Sequence, residues 1–211
     1  MGVHYGFIAV SSTVERFVDA FTKVWPQHEL GKRATLSSLD GFLLWKSQNE
    51  RFVSARDWTA DNPATEVYGF VQDGNWAVLL DTSYALCSDK EALVKLSDVF
   101  GSAVSFIIET GGGAVSFLSF TQGCLNRSID SVAGNVTTTG NPLPEEFGLP
   151  IDRFYVSEAK ELQRRLGLRF PDESPSTEVL GVAVTDRTDY SSLLAAQPMT
   201  EPRRKPWWQL W

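Results

Sequence analysis

The sequence predicts an α+β fold, in which about three helices pack on a mostly antiparallel sheet of seven or more strands. Short turns such as Asp73-Gly74 and Gly111-Gly112-Gly113 join β-rich segments directly, and strands joined in this way pair antiparallel. Apolar side chains recur at helical spacing in three stretches only. With 211 residues, of which 43% are hydrophobic, the chain is long enough for one substantial core.

Each element has a local signal in the chain. Alternating or short apolar runs predict strands over residues 3–10, 32–36, 42–46, 67–72, 76–81, 103–109, 114–120, 125–129 and 178–185. The capping boxes Ser12–Glu15 and Ser88–Glu91 begin two helices, which end at Pro26 and Gly101. A third helix follows Ser157 and ends at Gly167. The stretches 49–65 and 135–150 are polar or rich in turn residues and predict irregular structure.

The order of these elements suggests an internal duplication of a β-α-β-β-β unit, over residues 3–65 and 76–140. Phe42-Leu-Leu-Trp-Lys-Ser-Gln aligns with Ser116-Phe-Leu-Ser-Phe-Thr-Gln, and an arginine follows each, although the two halves share little identity. Duplicated halves would share one sheet with helices on one face. We therefore expect a single domain over residues 1–190, followed by an extended tail over 191–211.

Charge and composition exclude several classes of function. The formal net charge of −7 argues against a nucleic-acid partner, because a phosphate-binding surface needs an excess of cations. Cys87 and Cys124 are too few for a disulfide framework and fit no metal motif. The first residues do not form a secretory signal, and no apolar run is long enough to span a bilayer. These observations predict a cytoplasmic protein without a membrane partner.

The sequence contains no motif that predicts catalysis or cofactor binding. His4 and His28 are the only histidines, without metal-ligand spacing, and there is no Gly-Xaa-Ser-Xaa-Gly nucleophile motif. Gly111-Gly112-Gly113 lies between β segments and is typical of a hairpin turn rather than a phosphate loop. We therefore expect no cofactor and no metal, and favour a protein that is not an enzyme.

The candidate binding residues outside the C-terminal tail are Arg127, Glu145 and Glu146. Arg127 occupies an apolar position between Leu125 and Ile129, so its charge points toward a partly buried face. Such an arginine usually pairs with a carboxylate inside the fold, and less often marks a binding groove. Glu145 and Glu146 follow a proline and suit a first helical turn. Alternatively, they and Arg127 are the polar groups of a small-molecule or hydrolase pocket.

The C-terminal tail concentrates cationic and aromatic side chains, and its candidate binding residues are Arg203, Arg204, Trp207, Trp208 and Trp211. Tryptophan has much surface to bury, so the tail is expected to dock. It docks on its own domain, supplies anchors to another protein, or meets a membrane interface. In a further alternative, the tail reaches a second copy and the protein is a structural subunit of a homo-oligomer.

Three segments carry a resemblance to known proteins. They are Trp76-Ala-Val-Leu-Leu-Asp-Thr-Ser with the helix start at Cys87-Ser-Asp, Arg127 leading to Gly140-Asn-Pro-Leu-Pro-Glu-Glu, and the closing Pro-Trp-Trp-Gln-Leu-Trp. Together they resemble uncharacterised bacterial α+β proteins of the toxin-immunity or interaction type. The resemblance covers the second half of the chain and implies a protein-binding role. The preferred function is therefore non-enzymatic binding of another protein, such as a basic toxin-like partner, through an acidic surface or the tail.

Overall fold

The sheet has nine strands, and every neighbouring pair is antiparallel. The computed structural model describes residues 4–169 and 178–196. The strands are β1 (His4–Ser11), β2 (His28–Leu36), β3 (Ala64–Asp73), β4 (Trp76–Leu80), β5 (Ser102–Glu109), β6 (Ala114–Thr121), β7 (Cys124–Val132), β8 (Asn135–Gly140) and β9 (Val179–Asp186). Their order across the sheet is β2-β9-β3-β4-β1-β5-β6-β7-β8. The predicted α+β class with an antiparallel sheet is confirmed.

Helices cover both faces of this sheet. The described residues form five helices: α1 (Val14–Val24), α2 (Leu39–Asn49), α3 (Lys90–Phe100), α4 (Val156–Arg165) and α5 (Tyr190–Ala196). On the front face, α1 and α3 bury Phe17, Phe21 and Leu93 against the sheet. On the rear face, α2 and α4 bury Phe42 and Leu162. The expected number of about three helices is therefore too low, and the helices do not lie on the one face that a duplication would give.

The largest error of the prediction is α2, because residues 42–46 were expected to form a strand. Ser38 caps this helix, and its hydroxyl accepts a hydrogen bond from the Gly41 amide at 3.1 Å. Phe42 is buried while Leu43 and Leu44 are exposed, so the apolar run has neither helical nor strand periodicity. A short apolar run of this kind does not distinguish the two structures. The alignment behind the predicted duplication fails here, because residues 42–48 lie in a helix whereas the aligned residues 116–122 lie almost wholly in strand β6.

The β7–β8 hairpin is a second difference from the prediction. The stretch 135–150 was expected to be irregular, but its first six residues form β8, the last strand of the sheet. Ala133 and Gly134 make the turn, both with positive φ. Three consecutive threonines follow, and β-branched residues suit an extended backbone. Elsewhere, Gly111-Gly112-Gly113 lies in the β5–β6 hairpin turn, as predicted.

A notch in the sheet positions the candidate site. The short strand β4 ends at Leu80, which pairs with Gly69 of β3 and with Phe7 of β1. β3 continues for five residues beyond this point, over 64–68, and remains paired with β9 on its other side. A short gap therefore opens between β3 and β1 where β4 stops, and beyond it Arg51 pairs with Thr65 of β3 through two backbone hydrogen bonds. None of the described helices has the length and apolar character needed to cross a membrane.

Candidate functional site

A cleft of about 230 Å³ lies at the notch, and we call it the notch cleft. It is bounded by the end of α2, by residues 64–68 of β3 and by the loop that follows β4. Its charged and aromatic lining includes seven side chains: Lys46, Glu50, Arg51, Trp58, Glu66, Tyr68 and Asp81. Charged and aromatic groups from four separate parts of the chain thus converge on one concave surface, which is the usual property of a binding site.

Asp81 builds the wall of the notch cleft beside β4. Its side chain is 0% exposed. One carboxylate oxygen accepts hydrogen bonds from the Ser83 amide and hydroxyl, at 3.0 and 2.7 Å. The other accepts from the amides of Leu86 and Cys87, at 2.8 and 3.0 Å. Because four donors already satisfy this carboxylate, its role is to hold the loop rather than to bind a ligand.

Glu66 and Tyr68 supply the polar groups of the β3 wall. They are two residues apart on one strand and therefore share the front face of the sheet. The Tyr68 hydroxyl donates a hydrogen bond to the Glu66 carboxylate. Burial of Tyr68, together with the nearby charges of Glu66 and Asp81, raises the pKa of its phenol well above the usual value. Tyr68 is therefore a neutral hydrogen-bond donor, and Glu66 is a half-buried acceptor.

Lys46 is one of two cations that line the notch cleft, and Arg51 is the other. Lys46 projects from α2, and its ammonium pairs with the Glu50 carboxylate one helical turn later. The Lys46 side chain is only 16% exposed. Burial lowers the pKa of this ammonium, while the charges of Glu66 and Asp81 oppose that shift. One ammonium thus lies near two carboxylates, Glu50 and Glu66, that are not saturated by backbone amides in the way that Asp81 is.

Aromatic rings form the outer wall and the rim. The Trp58 indole N–H donates to the backbone carbonyl of Asp186 at 3.1 Å, and its ring lies 4.6 Å from that of Tyr190. The Ser191 amide donates to the Trp58 carbonyl, so α5 supports this wall from behind. Phe52 lies at the rim and is 94% exposed. The cleft is thus rigid at Trp58 and presents a bare aromatic ring at its edge.

A buried contact between His28 and Asp186 lies behind the Trp58 wall. The His28 Nε2 and an Asp186 oxygen are 3.7 Å apart, and both side chains are more than nine-tenths buried. Burial alone would raise the pKa of the Asp186 carboxyl, but hydrogen bonds from His28 and Thr188 hold it below its usual range. His28 lies just past the end of α1, where it begins β2, and no signal in the sequence links it to a residue 158 positions later.

This pair does not have the arrangement of a catalytic triad. A triad needs a nucleophile hydrogen-bonded to the second imidazole nitrogen. The His28 Nδ1 atom is buried and has no hydrogen-bond partner within the part of the chain that the structure describes. In the same residues, no three potential metal ligands among His, Cys, Asp and Glu come together.

Arg127 and Glu146 come together on the rear face as a buried pair. The guanidinium donates from Nε and Nη2 to the two Glu146 oxygens, at 2.8 and 2.7 Å. Nη1 donates to the Gly140 carbonyl at 3.1 Å, and Glu146 also accepts from the Leu143 amide at 2.9 Å. The pair thereby ties β7, the end of β8 and the turn Pro144–Glu146 together. A structural role for Arg127, the first of the two sequence interpretations, fits these contacts.

The remaining sequence-predicted residues are placed apart from this pair. Glu145 is half-exposed, and its backbone carbonyl accepts from Arg165 at 3.0 Å. Its carboxylate does not join the Arg127 pair. The five tail residues Arg203, Arg204, Trp207, Trp208 and Trp211 lie outside the described residues. Sequence reasoning missed the notch cleft, whose members Lys46, Glu66, Tyr68 and Asp81 carry no motif.

Breaking the Arg127–Glu146 pair from one side is expected to destabilise the fold strongly. Arg127→Leu leaves a buried carboxylate without its guanidinium, which costs about 3–5 kcal/mol. The double variant Arg127→Leu/Glu146→Leu removes both charges and should cost clearly less than the sum of the two single variants. Urea unfolding of the wild type, both single variants and the double variant measures this coupling. Additive losses would contradict the account of the pair.

Tyr68 is expected to make the protein sensitive to alkaline pH. The folded-state pKa of Tyr68 is raised, so above the unfolded-state value of about 10 only the unfolded chain ionises this phenol. Its contribution to the free energy of unfolding is fully present below that pH and falls as the pH rises further. Tyr68→Phe should flatten this alkaline fall, which urea titrations from neutral to alkaline pH measure. Equal slopes for the wild type and the variant would refute the role assigned to burial.

Comparison with known proteins adds no relative. No family model, curated protein or solved structure matches this chain. The resemblance of its second half to toxin-immunity proteins therefore stays a prediction. The function has to be argued from the shape, charge and surroundings of the notch cleft.

Proposed function

We propose that this chain is a non-enzymatic protein-binding protein, whose notch cleft receives a lysine or arginine side chain of a partner protein. The charge balance of the cleft carries this proposal. The Lys46 ammonium is paired with Glu50. The Arg51 guanidinium donates to the Pro63 carbonyl and the Asn62 side chain. Glu66 has a neutral phenol as its described hydrogen-bond donor. A further cation would therefore find a half-buried carboxylate whose charge is only partly compensated.

The size of the cleft favours a side chain over a metabolite. Pockets for small molecules have volumes of roughly 300–1,000 Å³. The notch cleft, at about 230 Å³, falls below that range. Its aromatic wall at Trp58 suits the flat guanidinium of arginine or the apolar stem of lysine. We therefore prefer an anchoring side chain of a protein to a free ligand of the kind that the small-molecule alternative requires.

The surroundings of the cleft suit a protein surface. Leu43, Lys46 and Glu50 are spaced by three and four residues on α2, so Leu43 continues the stripe that lines the cleft. Leu43 is 44% exposed, and Phe52 at the rim is almost fully exposed. Exposed apolar residues around a small polar pocket are typical of the centre of a protein–protein interface.

The chain's overall charge supports the same kind of partner. A net charge of −7 attracts a basic protein over long range and accelerates its capture. A basic toxin-like partner, as the resemblance implies, would meet this condition. Cys87 and Cys124 are free thiols, which suit a reducing compartment, so the proposal places the protein in the cytoplasm.

A displayed library of random peptides tests the proposal without knowledge of the partner. Peptides selected on the wild type should be enriched in lysine or arginine flanked by apolar residues. Glu66→Gln keeps an acceptor for the Tyr68 hydroxyl but removes the negative charge, and should weaken their binding about tenfold or more. Glu91→Gln, an exposed acid on α3, is the matched control and should bind like the wild type. Selected peptides without basic enrichment, or equal binding to Glu66→Gln, would overturn the proposal.

A further inference from the structure

The two edges of the sheet differ in how they are protected. At one edge, β2 has a register shift between Leu30 and Arg33 and carries several charged side chains. Bulges and charges are the usual means by which proteins prevent edge strands from pairing with other chains. At the other edge, β8 reads Asn-Val-Thr-Thr-Thr-Gly, without a charge or a proline. Within the described residues, β8 pairs only with β7. Its outer edge thus offers a strand template.

The two ends of β8 carry complementary features. At the Asn135 end, a groove of about 380 Å³ is lined by Val136, Arg153 and Tyr155. The hydroxyl of Ser131, which also lines this groove, is buried without a hydrogen-bond partner in the described part of the chain. At the Gly140 end, Phe147 is 89% exposed, directly after the Glu146 that is tied to Gly140 through Arg127. A cavity therefore lies at one end and a projecting ring at the other.

Both features lie on the rear face of the sheet. Arg127 and Ser131 have the same phase along β7 as Ile129, which belongs to the rear core. Val136 and Leu143 pack against that core as well. A two-fold axis perpendicular to the sheet keeps the rear faces of two copies on the same side and makes their edge strands antiparallel. The groove of one copy then lies opposite the ring of the other.

The same two-fold symmetry places opposite charges of the two copies near one another. Arg153, at the groove, is an exposed cation that interacts electrostatically with Glu158, and no described residue accepts a hydrogen bond from its guanidinium. Glu145, beside Phe147, is half-exposed, and its carboxylate has no hydrogen-bond partner among the described residues. An antiparallel pair of β8 strands brings Arg153 of each copy toward Glu145 of the other, twice per dimer. The strand itself carries no charge, so its self-pairing meets no like-charge repulsion.

We infer that β8 pairs with β8 of a second copy of this chain, forming a symmetric dimer through one continuous sheet. Phe147 of each copy enters the groove beside Val136 and Tyr155 of the other, and Arg153 binds the partner's Glu145. One strand pair and two kinds of side-chain contact, each made twice, form a small interface, so we expect a reversible dimer with a dissociation constant on the order of micromolar. The inference is independent of the notch cleft, whose lining residues lie on other strands.

Sedimentation velocity of the full-length protein over a series of concentrations tests the dimer. The wild type should shift from monomer to dimer as concentration rises. Glu145→Arg and Arg153→Glu should each weaken the dimer about tenfold or more, because each places like charges in contact. The double variant Glu145→Arg/Arg153→Glu should restore it, since the pair is only reversed. Glu91→Arg is the control for a change of net charge, and circular dichroism verifies that each variant is folded.

Several outcomes would overturn the inference. The wild type could remain a monomer at every concentration, or the double variant could fail to recover the dimer. The full-length variant Trp207→Ala/Trp208→Ala/Trp211→Ala separates this interface from tail exchange. If it loses the dimer while the two charge reversals leave it intact, the C-terminal residues hold the copies together and β8 does not.

Discussion

The candidate site depends on the hydrogen bonds that end β4. The Asp81 carboxylate, wholly buried, takes four donors from the loop that follows, and these bonds replace the ladder that a longer strand would have made. The Asp81 amide makes the last contact to β1, through the Gly6 carbonyl at 2.9 Å. Because the chain turns away here, β3 loses β4 as a neighbour over 64–68, although it keeps β9 on its other side and Arg51 pairs with it at Thr65. Glu66 and Tyr68 therefore line a short gap in the sheet.

Two different kinds of surface follow from one sheet. At the notch, charged and aromatic side chains are held half-buried, and the partly compensated acid is what favours a cationic anchor. At the β8 edge the side chains are neutral, and the backbone itself is the recognition element. The buried Arg127–Glu146 pair belongs to neither surface directly. It fixes the end of β8 and thereby sets where Glu145 and Phe147 project.

Sequence reasoning succeeded where the signal is local and failed where it is not. The apolar period from Val14 to Trp25 and the hairpin around Asp73-Gly74 specify α1 and the β3–β4 pair without help from the rest of the chain. The run 42–46 is too short and too uniformly apolar to show a helical or a strand period. The Ser38 cap and packing on the rear face therefore determine that it forms a helix. The position of Arg127 between Leu125 and Ile129 indicated that its side chain is partly buried. The sequence did not indicate which of the adjacent acids Glu145 and Glu146 pairs with it, 18 or 19 residues later. The members of the notch cleft are brought together by the packing of α2, β3 and two loops, which no local pattern encodes.

The most direct test of this account is amide hydrogen exchange in Asp81→Ala, with Thr82→Ala in the same loop as control. If Asp81 holds the loop that walls the notch cleft, the amides of Ser83, Leu86 and Cys87 should exchange at least about tenfold faster in Asp81→Ala, while the centre of β1 stays protected. Thr82→Ala should leave these amides as they are in the wild type. Unchanged exchange at Leu86 and Cys87 in Asp81→Ala would show that the loop holds itself, and the notch would need a different cause.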